Sequence, residues 1–243
     1  MATNNPSNPP SRRDETQLSV DFNLQSKSSS KEEEYALRED YATLHSGEES
    51  DLLKRLDRET NLKTLYPRMM SGHLQGQFLR MVTRMINPKN ILELGTFTGY
   101  STLCFAETLT EEGKIYTIEA NPEWQHISEK YFSESGLKHK IEFIIGNAAE
   151  IIPQLDVDFE LAFIDADKQN NRLYYDMLVK KMKSGSFILI DNVLWSGKVI
   201  DLNENKDKDT QIIHAFNEYV NNDKRVENIL LPFRDGLTLV RIN

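Results

Sequence analysis

Apolar residues recur along this chain in two rhythms. From 34 to 66 the spacing is helical: Leu52, Leu53 and Leu56 form a stripe among charges, and Leu62 and Leu65 follow. Pro67 punctuates this stretch. A second helical stripe carries Phe78, Leu79, Val82, Met85 and Ile86, and Asn87-Pro88 ends it. Short apolar runs then alternate with amphipathic ones. Residues 91–94 read as a strand, Gly95 to Gly99 as a loop, and a helix follows to about Thr110. Residues 114–118 form a strand closing on Glu119. Asn121-Pro122 then opens a helix with Trp124, Ile127 and Tyr131 on one face, and Gly136 ends it. Residues 141–145 make a third strand and 148–154 a short helix.

The runs 161–164 and 187–190 are apolar on both faces, as buried parallel strands require, and a helix from about 170 to 183 separates them. After a long charged loop, 193–208, a helix over 210–220 puts Ile212, Ile213, Phe216, Tyr219 and Val220 on one side. Runs at 226–231 and 237–240 flank Asp235-Gly236, a hairpin signal. The alternation predicts an α/β fold, a doubly wound sheet of five βα units followed by an antiparallel hairpin.

Composition narrows the picture. The 243 residues suffice for one α/β domain. The Asn-, Pro- and Ser-rich residues 1–33 read as a disordered tail, and 34–243 as the folded domain. Within that domain, 34–88 supply N-terminal helices and 89–243 the α/β core. Ser11-Arg12-Arg13 precede no apolar stretch, so a twin-arginine export signal is rejected. A single cysteine, Cys104, allows no intrachain disulfide, and no apolar run approaches a membrane span. A cytoplasmic protein without a membrane partner is expected. The net charge of −9 speaks against nucleic acid as a partner.

The candidate chemistry begins where the two buried runs stop. The first runs into Asp165-Ala166-Asp167-Lys168, the second into Asp191-Asn192. In an open α/β sheet the ligand crevice lies outside the carboxyl ends of the strands. If the two strands are neighbours, Asp165, Asp191 and Asn192 converge there. Three oxygen donors without Cys or His suit Mg²⁺, Mn²⁺ or Ca²⁺. Either Asp alone reads equally well as a strand-end cap; two on adjacent strands favour a site. His45, His73, His126, His139 and His214 lack metal-ligand spacing, which argues against zinc. Cys104 reads as buried filler, and Trp195 as either a pocket wall or core.

Glu93-Leu94-Gly95-Thr96-Phe97-Thr98-Gly99 joins a strand to a helix, with Ser101 near the helix start. Glycines there let backbone approach a ligand closely, although a purely structural tight turn would look the same. Glu119 ends the next strand, where acids accept from ribose hydroxyls in nucleotide-binding folds. A charged Glu93 would repel a pyrophosphate and welcome a cationic amino-acid moiety, favouring S-adenosylmethionine over a dinucleotide.

The segments Gly76-Gln77-Phe78-Leu79, Glu93 through Ser101, Phe163-Ile164-Asp165-Ala166-Asp167-Lys168, Asp191-Asn192-Val193-Leu194-Trp195 and Asp235-Gly236-Leu237-Thr238 occur in one order from about residue 40 onward. Together they resemble the caffeoyl-CoA and catechol O-methyltransferase family. The resemblance implies a class I methyltransferase (Rossmann-like) fold, seven strands ending in a reversed hairpin, with S-adenosylmethionine as methyl donor and a divalent cation. It implies Asp165, Asp191 and Asn192 as metal ligands and Lys168, beside Asp165, as the catalytic lysine. It places Met69, Ser71, Glu93, Gly95, Thr96, Ser101, Glu119, Ala148, Asp165 and Asp167 around the cofactor. The implied substrate is a catechol-like, vicinal-dihydroxy phenol or its CoA ester, and the implied assembly a homodimer. The alternative is a hydroxylated uridine in tRNA, met by a basic strip of Arg68, Arg80 and Arg84. Ser71 stands where plant members usually have Thr, and Ser196 where they have Asn. These departures and the polar loop 201–209 bear on the substrate.

Overall fold

The computed structural model describes residues 31–243. Most of the expected tail lies outside these residues; helix α1 (Lys31–Leu44) begins at its last three. The chain divides into two compact units, one ending at Arg38 and one beginning at Glu39. In the first, Arg38 pairs with Glu34 one helical turn away. The second, Glu39–Asn243, holds the sheet.

The helical stretch expected over 34–66 is interrupted. Chain direction changes through 45–50, and helix α2 (Asp51–Lys63) starts afresh on Ser50, whose hydroxyl accepts from the Leu53 amide at 3.3 Å. Ser50 followed by an acid is an N-cap signal that the apolar stripe alone does not carry. Helix α3 (Gly72–Ile86) ends on Asn87 in the left-handed conformation, just before Pro88. It packs tightly: a Cβ added at Gly76 would lie 2.8 Å from the Cys104 sulfur. Cys104 is fully buried.

Seven strands form one sheet among the described residues: β1 (Asn90–Leu94), β2 (Lys114–Glu119), β3 (Ile141–Ile145), β4 (Leu161–Ile164), β5 (Phe187–Asp191), β6 (Val226–Leu231) and β7 (Leu237–Ile242). Their order is β3-β2-β1-β4-β5-β7-β6. The first five are parallel, and β7 runs antiparallel to both its neighbours. Helices α4 (Tyr100–Ala106), α5 (Gln125–Glu134), α6 (Ala148–Ile151), α7 (Asn171–Lys181) and α8 (Lys208–Asn222) complete the doubly wound arrangement. The strands alternate as a two-sided sheet must. Leu92, Leu94, Ala162, Ile164, Ile188 and Ile190 pack towards Tyr175, Leu178 and Phe216. Ile91, Leu161, Phe163 and Leu189 pack the other way, towards Leu79 and Phe105. The strand order reverses between β1 and β4, so the carboxyl ends of these two strands bound the crevice where such folds bind ligands.

The final hairpin forms as expected, although its connection has five residues, 232–236, and is not a tight Asp-Gly turn. Asp235 and Gly236 serve another segment. The Leu194 amide donates to the Asp235 carbonyl at 2.8 Å and the Val193 amide to the Gly236 carbonyl at 3.2 Å. The Ser196 amide donates to the Asp235 carboxylate. The turn thus holds the start of the loop after β5. Among the described residues no helix is long and apolar enough to cross a membrane.

Candidate active site

The site is built at the carboxyl ends of β1, β2, β4 and β5. Leu94 gives way to Gly95, which takes φ +98°. There the chain passes so close to β4 that an added Cβ would meet the Asp165 carbonyl oxygen at 2.1 Å. The Asp165 amide donates to the Leu94 carbonyl at 2.9 Å, which ties the glycine loop to the first acid.

Glu119, at the end of β2, grips that loop. Its Oε2 accepts from the Thr96 and Phe97 amides at 3.1 and 2.8 Å, and its Oε1 from the Asn121 amide at 2.9 Å. Phe97 sits at φ +49°, a conformation these bonds help to hold. A carboxylate offers about four lone-pair positions, so three amide donors leave room for one more. The Thr96 hydroxyl meets that of Thr117 at 2.6 Å.

Glu93 differs from the expectation of a carboxylate facing the ligand as an open charge. It is fully buried; its Oε2 accepts from Thr102 and, at 2.6 Å, from Thr117. Burial pushes its pKa up to about 7 against the partial stabilisation from the Ser101, Thr102 and Thr117 hydroxyls, and the Asp165 charge adds to the rise. Because this acid binds its proton more tightly in the folded than in the unfolded chain, it costs nothing below about pH 4.5, and the cost grows as pH rises towards 7. Glu93→Gln should therefore raise ligand-free stability at pH 8, by up to about 3 kcal/mol, and flatten its fall between pH 5 and 7. Urea denaturation at pH 5 and 8 measures both; an equal loss at both values would assign Glu93 a purely structural role.

The acids meet as the parallel register requires. Ile164 pairs with Ile190, so Asp165 and Asp191, the next residues on each strand, are neighbours. Asp191 is 5% exposed; burial first, and the Asp165 charge second, push its pKa up to about 6. Its Oδ1 accepts from the Asn192 amide at 2.8 Å, and its Oδ2 from the Gln75 side chain at 2.7 Å. Asn192 follows at φ +59°. Lys168 Nζ lies 3.1 Å from Asp165 Oδ1, both side chains being mostly buried. The expected donors are two carboxylates and one amide; among the described residues no three His, Cys, Asp or Glu side chains gather as a metal group.

The other expected residues lie on separate elements. Ser101 lies in the first turn of α4, and Ala148, buried, opens α6 on an Asn147 cap. Asp167 is exposed, accepting from Tyr174 at 2.7 Å and Asn170 at 2.5 Å. Ser71 is buried just before α3, whereas Met69, in the turn Pro67–Met69, is 58% exposed. Trp195, at φ +50°, is half-buried. The basic strip loses its middle member: Arg80 pairs with Glu107 at 3.0 Å, each side chain 17% exposed, because α3 packs on the turn after α4. Two residues escaped the sequence reading, Gln75 and Arg234. A signal existed for the first. Gln75 stands four residues before Leu79 and seven before Val82, a polar residue on the buried face of its helix.

Comparison with known proteins places the arrangement. The O-methyltransferase family profile matches residues 43–243. A probable caffeoyl-CoA O-methyltransferase from Dictyostelium discoideum is 32% identical over 205 residues, covering 82% of this chain and 89% of that protein. The SAH-bound structure of a Podospora anserina methyltransferase superposes with a TM-score of 0.82 at 27% identity, over 90% of this chain and all of that one. An O-methyltransferase from Bacillus cereus in complex with SAH gives 0.79 at 29% identity, over 87% of this chain and 99% of that one. The chain belongs to the O-methyltransferase family and stands among the caffeoyl-CoA O-methyltransferase homologues.

Proposed function

We propose that this chain transfers a methyl group from S-adenosylmethionine to one hydroxyl of a vicinal-dihydroxy phenol, free or as its CoA ester, with a divalent cation held by Asp165, Asp191 and Asn192. One observation carries the reading: two carboxylates at adjacent strand ends, Asp191 buried and Asp165 mostly so, with an ammonium 3.1 Å from Asp165, directly against a glycine loop. The donor set suits a hard cation: it is all oxygen, and burial first and the Asp165 charge second raise the pKa of Asp191, so its ionised form lacks a counter-charge that a cation would supply. The methyl donor suits its side of the crevice. Gly95 lets the loop after β1 lie directly against the Asp165 backbone, and Glu119 holds the Thr96 and Phe97 amides of that loop beside it. S-adenosylmethionine and SAH are what the solved relatives carry: a Streptomyces achromogenes O-methyltransferase holds the former, the Bacillus cereus enzyme the latter.

A bound divalent cation would supply fixed positive charge that favours the phenolate and orients two vicinal oxygens. The protein's own residues do the rest. Lys168, tethered to Asp165, stands where its ammonium can donate to the oxygen of a phenol docked beside Asp165 and so favour the phenolate, and where, as the neutral amine, it can take the phenol proton. Glu119 fixes the loop amides and keeps one acceptor position for a ribose hydroxyl. The Asp235–Ser196 and Asp235–Leu194 bonds fix the start of the loop that carries Trp195, the residue assigned to the acceptor side in this reading. Rate then comes from alignment and from a preorganised, largely buried charge environment.

The test is methyl transfer to a panel of catechols, caffeoyl-CoA and hydroxyuridine tRNA, with and without chelator. Turnover on catechols or the CoA ester that stops with chelator is expected; unchanged turnover in chelator, or activity on tRNA alone, would overturn the reading. Glu119→Ala should weaken S-adenosylmethionine binding about ten- to hundredfold, since a hydrogen bond to a charged group is worth about 1.5–3 kcal/mol and the loop amides also lose their anchor. Calorimetry giving wild-type affinity would remove Glu119 from the cofactor site.

A further inference from the structure

We infer that Gln75 and Arg234 form a relay that positions Asp191 for a cation. Gln75 is 1% exposed on the buried face of α3, where an apolar residue would be expected. Its Nε2 donates to Asp191 Oδ2 at 2.7 Å, and its Oε1 accepts from Arg234 Nη1 at 2.8 Å. Arg234 belongs to the hairpin turn 232–236, holds φ +49° there, and pairs on its other side with Glu39 at 3.5 Å.

The chemistry of the two ends fixes the amide between them. A carboxylate only accepts and a guanidinium only donates, so the Gln75 amide has one orientation that satisfies both. The reverse would set oxygen against oxygen and NH₂ against a guanidinium. Gln75 thus passes the fixed direction of Arg234 to the Asp191 carboxylate. With Oδ1 held by the Asn192 amide and Oδ2 by Gln75, the carboxylate plane is set by a donor on each oxygen, and one lone pair of each stays open. Outer partners of this kind orient metal ligands and tune their affinity. The two residues lie 159 positions apart and come from the N-terminal helices and the final hairpin, which is why no local motif announces them.

The inference rests on the cation reading of Asp165, Asp191 and Asn192, and the experiment separates the two. Mn²⁺ binding to the full-length, S-adenosylmethionine-free protein is followed by electron paramagnetic resonance, alongside thermal melting. Gln75→Met keeps the volume and removes both hydrogen-bonding ends; it should weaken Mn²⁺ binding about ten- to hundredfold. Arg234→Met gives the sharper result. Deleting a positive charge near a cation site should strengthen Mn²⁺ binding by simple electrostatics, whereas the relay requires weakening, smaller than for Gln75→Met. The double variant should bind no more weakly than Gln75→Met alone, because Arg234 acts through Gln75. Wild-type Mn²⁺ affinity in Gln75→Met with a lowered melting temperature would make the bonds structural only and overturn the relay, leaving the cation site intact. Tighter Mn²⁺ binding in Arg234→Met would also overturn it, and serves if Gln75→Met does not fold. A wild-type protein that takes up no Mn²⁺ would overturn relay and cation site together.

Discussion

Asp191→Asn should abolish methyl transfer without harming the fold. The substitution keeps shape and an acceptor for the Gln75 amide, and it removes a charge that is buried against Asp165. Lewis-acid assistance at such a site is worth several kcal/mol of transition-state stabilisation, so kcat/KM should fall by about three orders of magnitude or more. Stability should move the other way. The pKa of Asp191 is raised to about 6, so ionisation costs folded-state stability above that pH and nothing below about pH 4. At pH 8 the cation-free variant should melt at or above the wild-type temperature, and at pH 4 the difference should vanish. Asp165→Asn should lose turnover similarly, while releasing Lys168 from its partner. Steady-state kinetics in EDTA and in Mg²⁺, with melting curves at both pH values, give the measurement. Wild-type turnover in either variant would return these acids to the role of strand-end caps.

Gly95→Ala should be the most damaging single methyl group in the chain. Two costs add. The backbone sits at φ +98°, which L side chains rarely adopt, at roughly 1–2 kcal/mol. The new Cβ would lie 2.1 Å from a backbone oxygen that cannot rotate away, so β1 and β4 must part at their carboxyl ends. A loss of about 3–5 kcal/mol in urea denaturation is expected, the range that large steric mechanisms produce, with loss of S-adenosylmethionine binding by calorimetry. Gly185→Ala is the built-in control: it shares a positive φ, +88°, and nothing lies within 4 Å of its added Cβ. It should show the conformational cost alone. Equal effects at the two glycines would mean that the close approach of Gly95 to Asp165 is not what holds this corner together.

How much of this was legible in the sequence depends on where the information sits. The five parallel strands show as apolar runs because both faces of the sheet are covered. Asp165 and Asp191 could be paired in advance because a topological rule, not a local one, places ligands at strand ends. The break at 45–50 was readable from Ser50 and was masked by continuous helical spacing on either side. Glu93 could not be placed from its neighbours in sequence: whether it faces ligand or core depends on Thr117 from the next strand and Thr102 from the next helix. Arg80 looks free in sequence until α3 meets Glu107. Asp235-Gly236 carried a true hairpin signal, but its main partners are Leu194 and Ser196, some forty residues earlier. The residues that bear charge or proton were visible; those that orient them were not, because orientation comes from contacts distant in sequence.

The place of β7 in the sheet has a consequence for how the protein is born. β7 is synthesised after β6 yet lies inside it, between β6 and β5. Until residues 237–242 leave the ribosome, the β5 edge has no hydrogen-bonding partner and β6 has nowhere to dock. A nascent chain halted short of Leu237 therefore carries an open, apolar parallel sheet, the kind of edge that recruits other chains. Asp191 pairs across with Leu237 itself, so the corner that bears this carboxylate is among the last to close. Completion of that corner therefore waits for the last strand of the sheet.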